Sequence, residues 1–298
     1  MSVRAGKTLS LTRISEIDFA NKTEKDLHDL FSKVLNDGMH GLCFSAYEEG
    51  QKPGHVLSED QVRRRMKIIA PYTKWIRSFS CIEGNELIPK IAKEFGIKTL
   101  VGAWLGTDSE MNEKEIAGLI ELANDGFVDI AAVGNEVLYR EDLTEEELLD
   151  TILRVKEAIP HVSVGYVDAY YEFAARPKIT EACDVILANC YPFWECCHAD
   201  YSLMYMKEMF YQAVHAGGGD KHVIITETGW PSEGEDYKGA LPSHENALKY
   251  FLNTQMWSKE EDIDIFYFTS FDESWKVGTE GDVGAYWGIW DKNENLKF

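Results

Sequence analysis

Val223-Ile224-Ile225-Thr226-Glu227-Thr228-Gly229-Trp230-Pro231 is the stretch on which the fold turns. A β-branched apolar run ends abruptly in a carboxylate, and Gly229 and Pro231 then turn the chain with a tryptophan between them. The run reads as a strand buried on both faces, as in a parallel sheet. Glycine and proline punctuate its C-terminal end. Glu227 therefore stands where a strand stops and a loop begins. A carboxylate is costly inside a core unless paired, whereas the C-terminal mouth of a parallel barrel is where catalytic groups collect. A Glu satisfied by a neighbouring Lys or Arg is the alternative. Ile130-Ala131-Ala132-Val133-Gly134-Asn135-Glu136-Val137 repeats the design, with an amide beside a carboxylate at the strand end. Two strands far apart in the chain each deliver one Glu to the same rim. Glycoside hydrolysis asks for such a pair: one carboxyl protonated to release the leaving group, the other ionised to attack carbon or activate water.

Outward from these two stretches the pattern recurs. Strands are expected over 39–46, 75–80, 99–105, 128–136, 162–168, 184–193, 222–228 and 263–273. Helical patterns fall over 58–70, 85–95, 112–124, 144–158, 201–215 and 243–257, with a further helix over 21–33 whose start is marked by Asn21 and Glu24. Eight strands at a spacing of roughly 30 residues, the size of a βα unit, predict a parallel sheet closed into a (β/α)8 TIM barrel. A doubly wound open sheet would need a glycine-rich phosphate loop after the first strand, and neither G-x-G-x-x-G nor a Walker pattern occurs. No linker divides the chain. It reads as one α/β domain over 1–298, with an N-terminal extension and helix over 1–37 and a closing segment over 284–298.

Composition agrees. The chain has 298 residues, 45% of them hydrophobic, enough for one large core. A net charge of -21 and a pI near 4.8 argue against nucleic acid or an anionic membrane surface as partner, since both want basic patches. Six cysteines are present. Cys43 and Cys190 lie in apolar runs, and adjacent Cys196 and Cys197 would pair awkwardly with each other, so free thiols are expected. Glu195-Cys196-Cys197-His198 lacks the spaced ligand pairs of a structural zinc site. No metal or cofactor is implied. No signal-like apolar segment opens the sequence and no run approaches a membrane span. A cytoplasmic monomer is expected; a secreted or periplasmic protein lacking its leader is the alternative.

The motifs carry a family resemblance. Glu227-Thr228-Gly229-Trp230-Pro231-Ser232 resembles the nucleophile signature of glycoside hydrolase family 17, and Val133-Gly134-Asn135-Glu136 its acid/base strand. Asn189-Cys190-Tyr191-Pro192-Phe193 resembles its sixth-strand ending, Phe271-Asp272-Glu273-Ser274-Trp275-Lys276 its eighth-strand motif, and Gly284-Ala285-Tyr286-Trp287-Gly288 its closing segment. These motifs stand in family order from about Gly41 onward. The resemblance implies a (β/α)8 barrel that cleaves β-1,3-glucans such as laminarin with retention, as an endo-glucanase. It implies Glu136 as acid/base, Glu227 as nucleophile, Glu273 and Lys276 as supporting residues, and Arg77 as the arginine that holds the nucleophile. Two departures stand out. The first strand ends Phe44-Ser45-Ala46-Tyr47 rather than in the glycine-rich plant form, and Glu195 to His215 is compact.

Retention requires carboxyl groups about 5–5.5 Å apart. Burial and the charge of Glu227 should raise the pKa of Glu136, while Arg77 should keep Glu227 ionised. Asn135 could bond the sugar 2-OH or merely loop backbone. Tyr191 could bond Glu227 or be a core tyrosine. Phe193, Trp194 and Trp230 are candidate sugar platforms or plain packing, and Glu273 with Lys276 a substrate contact or a rim ion pair. A glucanosyltransferase, a mixed-linkage β-1,3-1,4-glucanase and a non-catalytic carbohydrate-binding barrel are the competing functions.

Overall fold

Each apolar run read as a strand becomes one, and each pairs with its neighbours in chain order. The computed structural model describes residues 15–298. The strands are β1 (Met39–Cys43), β2 (Thr73–Ser78), β3 (Lys98–Ala103), β4 (Ile130–Asn135), β5 (Ser163–Ala169), β6 (Val185–Asn189), β7 (His222–Thr228) and β8 (Ile265–Tyr267). All neighbours run parallel, and β8 returns to β1 through Gly41 opposite Phe266 and Leu42 opposite Tyr267, which closes the barrel. Strands of this kind are buried on both faces, by the barrel interior and by the helical coat. All five residues of β6 are buried, as are all but the first of β7.

The coat consists of α1 (Glu24–Asp37), α2 (Glu59–Ile69), α3 (Leu87–Glu94), α4 (Ser109–Asn124), α5 (Glu145–Ala158), α6 (Glu172–Ala175), α7 (Pro177–Ala182), α8 (Ser202–Ala216), α9 (His244–Glu261) and α10 (Val277–Glu280). The protein is thus a single-domain (β/α)8 barrel. The described part of the N-terminal segment belongs to the coat: Phe31 of α1 packs on Phe251 of α9 and on Phe298, with ring centroids 5.0 and 5.3 Å apart. The first fourteen residues of that predicted segment lie outside the described residues.

Several elements differ from expectation, the sixth strand for instance ending at Asn189 rather than at 193, and three of the differences have a plain cause. Helix α1 starts at Glu24 because Thr23 and Asp26 cap each other reciprocally, at 3.2 and 2.9 Å. Asn21, the expected cap, instead donates to Asp18 at 2.5 Å. Helices α6 and α7 give no periodic signal, being short and separated by Arg176 before Pro177. The eighth strand was expected over 263–273 but pairs as a strand only over Ile265–Tyr267. Beyond it the chain serves three partners: Phe268 N donates to Thr228 O of β7 at 2.8 Å, Ser270 N donates to Cys43 O of β1 at 3.0 Å, and Thr269 and Ser270 accept from Ile289 and Trp290 of the closing segment at 3.0 and 2.9 Å. Gly229 makes this approach possible, since a β-carbon there would lie 2.1 Å from Phe268 O.

All six cysteines are unpaired, four of them buried. Among the described residues no helix is long and apolar enough to cross a membrane, and no group of three or more His, Cys, Asp or Glu side chains is arranged to hold a metal ion. His198 instead caps its own turn, accepting from Asp200 N at 3.3 Å.

Candidate active site

Irregular pairing re-aims three strand ends at the C-terminal rim. The register shifts between Ala132 and Asn135 on β4, between Ala188 and Asn189 on β6, and between Ile225 and Thr228 on β7. Such bulges bend a strand and redirect its side chains. Asn189 consequently stands opposite Glu227. On β4 the turn is sharp: Gly134 has φ 83° and Glu136 φ 52°. The left-handed region suits glycine; for a glutamate it costs about 1–3 kcal/mol and persists only where its surroundings impose it. Here Glu136 N donates to Val167 O at 2.8 Å, Arg140 N to Glu136 O at 2.9 Å, and Leu138 N to the Tyr166 hydroxyl at 2.9 Å. Arg140 adds Nη1 to Asn135 O at 2.5 Å and Nη2 to Leu105 O at 3.1 Å.

The two strand-end carboxylates meet. Asn189 Nδ2 donates to Glu136 Oε1 at 2.9 Å and to Glu227 Oε1 at 3.2 Å. Those two oxygens therefore lie within about 6 Å of each other, across a single amide. Thr226 Oγ1 fixes the amide by donating to Asn189 Oδ1 at 2.9 Å. The environments of the two acids differ sharply. Glu227 accepts from the Arg77 guanidinium and, at 2.7 Å, from the Tyr191 hydroxyl. Burial, then the Glu227 charge, hold the Tyr191 phenol far above its usual range, so it remains a donor. Glu136 has no such cation in contact. Burial first, and the charge of Glu227 second, push its carboxyl up to about 7. Arg77 is itself buried, lies 4.4 Å over the Phe79 ring and extends its other arm to Asn135 Oδ1 at 2.6 Å.

The rim after β8 adds an ion pair. Lys276 Nζ sits 3.0 Å from Glu273 Oε2 and 4.0 Å over the Phe268 ring, and Trp275 Nε1 donates to Glu273 Oε1 at 3.2 Å. Both ions are buried.

A sequence model of the BtgE/BtgC glycoside hydrolase domain family matches residues 41–288. The chain belongs to this glycoside hydrolase family. A glucan 1,3-β-glucosidase of Arthroderma benhamiae is 31% identical over 71% of this chain and 74% of its own. One of Candida albicans is 28% identical over 78% of this chain and 83% of its own. The crystal structure of a glycoside hydrolase family 17 β-1,3-glucanosyltransferase from Rhizomucor miehei superposes with TM-score 0.78 at 28% identity, covering 88% of this chain and 96% of that one. The resemblance to family 17 read from the motifs agrees with these findings.

Within this glycoside hydrolase, seven of the ten singled-out side chains gather at one rim: Arg77, Asn135, Glu136, Tyr191, Glu227, Glu273 and Lys276. Two of the others, Phe193 and Trp230, require a correction. Phe193 is wholly buried, its ring 5.2 Å from Trp230, 5.4 Å from Trp287 and 5.1 Å from Trp194. Trp230 is 1% exposed, and its Nε1 donates to Leu241 O at 3.0 Å. Neither offers a ring face to a sugar; they build the wall behind the rim, because the turn at Gly229 and Pro231 folds the tryptophan inward. Half-buried Trp194 sits over them, and Trp104, 42% exposed, stacks on the Arg140 guanidinium at 4.6 Å.

Two residues escaped the sequence reading. Asn189 was quoted within a motif without a role, although it is a strand-end amide of the same kind as Asn135. Glu280 lies on four-residue α10, outside any strand signature. Burial pushes its carboxyl up to about 7, with Lys276 opposing and the charges of Glu273 and Glu227 adding to the rise. It therefore lies within electrostatic reach of the same rim, and its four-residue spacing from Lys276 was the available clue.

Proposed function

We propose that this protein is a retaining glycoside hydrolase that cleaves β-1,3-glucan by double displacement, with Glu136 as acid/base and Glu227 as nucleophile. The observation that carries the reading is the single amide of Asn189 shared by both carboxyl groups. It supports a spacing suited to direct attack on the anomeric carbon. Glu136, protonated near neutrality, gives its proton to the glycosidic oxygen as that bond breaks. Glu227, which accepts from Arg77 and Tyr191, forms an ester bond to the anomeric carbon. Once Glu227 is esterified its charge is gone, Glu136 ionises more readily, and it takes a proton from the attacking water. The water oxygen bonds the anomeric carbon, and Glu227 leaves as carboxylate. Asn135, whose oxygen is held by Arg77, has its amide nitrogen for the 2-hydroxyl. Glu273 and Lys276 are taken to bind substrate hydroxyls from the β8 side.

Transfer to a sugar acceptor competes for the same ester, and the likeness to the Rhizomucor miehei glucanosyltransferase favours weighing it. A time course on laminarin, mixed-linkage glucan and a 1,3-linked oligosaccharide separates the outcomes. Products longer than the oligosaccharide indicate transfer; internal chain shortening indicates endo cleavage; no turnover of any 1,3-linked substrate sinks the reading. A cytoplasmic, monomeric protein belongs to the same proposal, the unpaired thiols supporting a reducing compartment. Sedimentation of the full chain checks the monomer.

A further inference from the structure

The wall behind Glu136 holds a second carboxyl group with no part in the displacement. Asp168, on β5, is entirely shielded from solvent. Its Oδ2 accepts the Tyr166 phenol proton, and its Oδ1 accepts from Ala169 N at 2.7 Å. The Tyr166 oxygen in turn accepts from Leu138 N at 2.9 Å. Three consecutive residues of β5 thus grip the strained turn after β4. Val167 O takes the Glu136 amide, Tyr166 takes the Leu138 amide, and Asp168 orients the Tyr166 hydroxyl. A phenol hydroxyl has one proton, and with that proton committed to Asp168 its lone pair is turned to Leu138. Among the described residues no lysine or arginine hydrogen-bonds Asp168, and its partners there include the Tyr166 hydroxyl and the Ala169 amide.

We infer that Tyr166 and Asp168 are positioning residues for Glu136: Asp168 orients the Tyr166 hydroxyl, and that hydroxyl fixes the left-handed turn that aims the Glu136 carboxyl. The inference rests on Glu136 being the acid. Burial lifts the Asp168 carboxyl to about 6 while its donors pull it back, so it is mostly ionised at neutral pH. Asp168 is among the charges that raise Glu136, together with Glu227, whereas the Asn189 amide and Arg77 lower it. On its far side Asp168 faces Glu172 of α6, which is paired with Arg176 at 3.4 Å. Replacing Asp168 by a neutral isostere removes a buried charge that raises the Glu136 carboxyl.

The test is the pH profile of kcat/KM for wild type, Asp168→Asn, Tyr166→Phe and Glu136→Gln. Two substrates are used, a laminarioligosaccharide and an activated aryl β-laminaribioside, with thermal melts to verify folding. Asp168→Asn should move the basic limb down by about half to one pH unit. Tyr166→Phe should lose about tenfold on the oligosaccharide and stay within about twofold on the aryl substrate, whose leaving group needs little protonation. A folded Asp168→Asn with its basic limb unmoved, or a Tyr166→Phe that loses equally on both substrates, overturns the inference. Should Asp168→Asn not fold, Tyr166→Phe, which removes a single oxygen atom, decides alone. If Glu136→Gln shows no leaving-group dependence, it is the acid assignment that fails instead.

Discussion

Asn189→Ala isolates the amide that joins the two acids. The substitution removes donors to Glu136 Oε1 at 2.9 Å and Glu227 Oε1 at 3.2 Å, and leaves Thr226 Oγ1 without its acceptor. A hydrogen bond to an ionised group is worth about 1.5–3 kcal/mol, and one between neutral groups about 1. The bond to Glu227 is the charged one, but it helps only while Glu227 carries charge, so part of the loss raises the ground state. What acts on the barrier is chiefly the orientation of two carboxyl groups across one sugar. Taking the whole charged bond as the scale, kcat/KM should fall by about 10- to 150-fold. The pH dependence has a definite sign. The amide favours the ionised form of Glu136 and so lowers its pKa. Its removal should carry the basic limb above the wild-type position, opposite to the shift expected for Asp168→Asn. The assay is kcat/KM on a laminarioligosaccharide from pH 4 to about pH 9, with melting curves as a folding control. A folded variant within about twofold of wild type, or one whose basic limb moves downward, refutes the reasoning.

Arg77→Met leaves Glu227 charged and buried without its cation. Stability should drop by about 3–5 kcal/mol in denaturant titration, and Glu227→Gln in that background should recover part of the loss; an additive double variant counts against the pairing. Glu136→Gln should gain stability over wild type as pH rises. The folded carboxyl titrates near 7, above its unfolded value, so wild type holds extra protons when folded and loses stability across that interval. The margin should open from pH 5 to about pH 8 and reach about 2–3 kcal/mol in urea titrations at each pH; a margin that narrows is inconsistent with the raised value. Trp230→Ala should cost about 3–5 kcal/mol through the cavity it leaves, with KM on laminarin nearly unchanged when measured below the melting transition. A large rise in KM without a stability loss would restore Trp230 as a sugar platform.

Much of this was legible in the linear chain. The 222–228 run came through with its ends intact because a fully buried strand must be apolar throughout and a turn must follow it. Glu136 and Glu227 were legible because each interrupts such a run at its end, where a charge has no other reason to stand. The eighth strand was read too long because Phe268 to Glu273 keeps a strand-like composition. The widening barrel mouth transfers its hydrogen bonds to the closing segment, and no local pattern encodes that exchange. Phe193 and Trp230 were misjudged for a related reason: an aromatic after a strand end has the same sequence appearance whether its ring turns in or out.

The order of elements, the closed parallel barrel and the two strand-end carboxylates followed from local spacing, since alternation and punctuation act over only a few residues. Only the tertiary structure decided that one amide of β6 reaches both carboxyl groups, that Tyr166 and Asp168 bond to the turn carrying Glu136, and that Glu280 comes within electrostatic reach of the same rim. Those contacts link residues distant in the chain, and closure and bulging of the strands, rather than any short-range preference, bring them within hydrogen-bond or electrostatic reach.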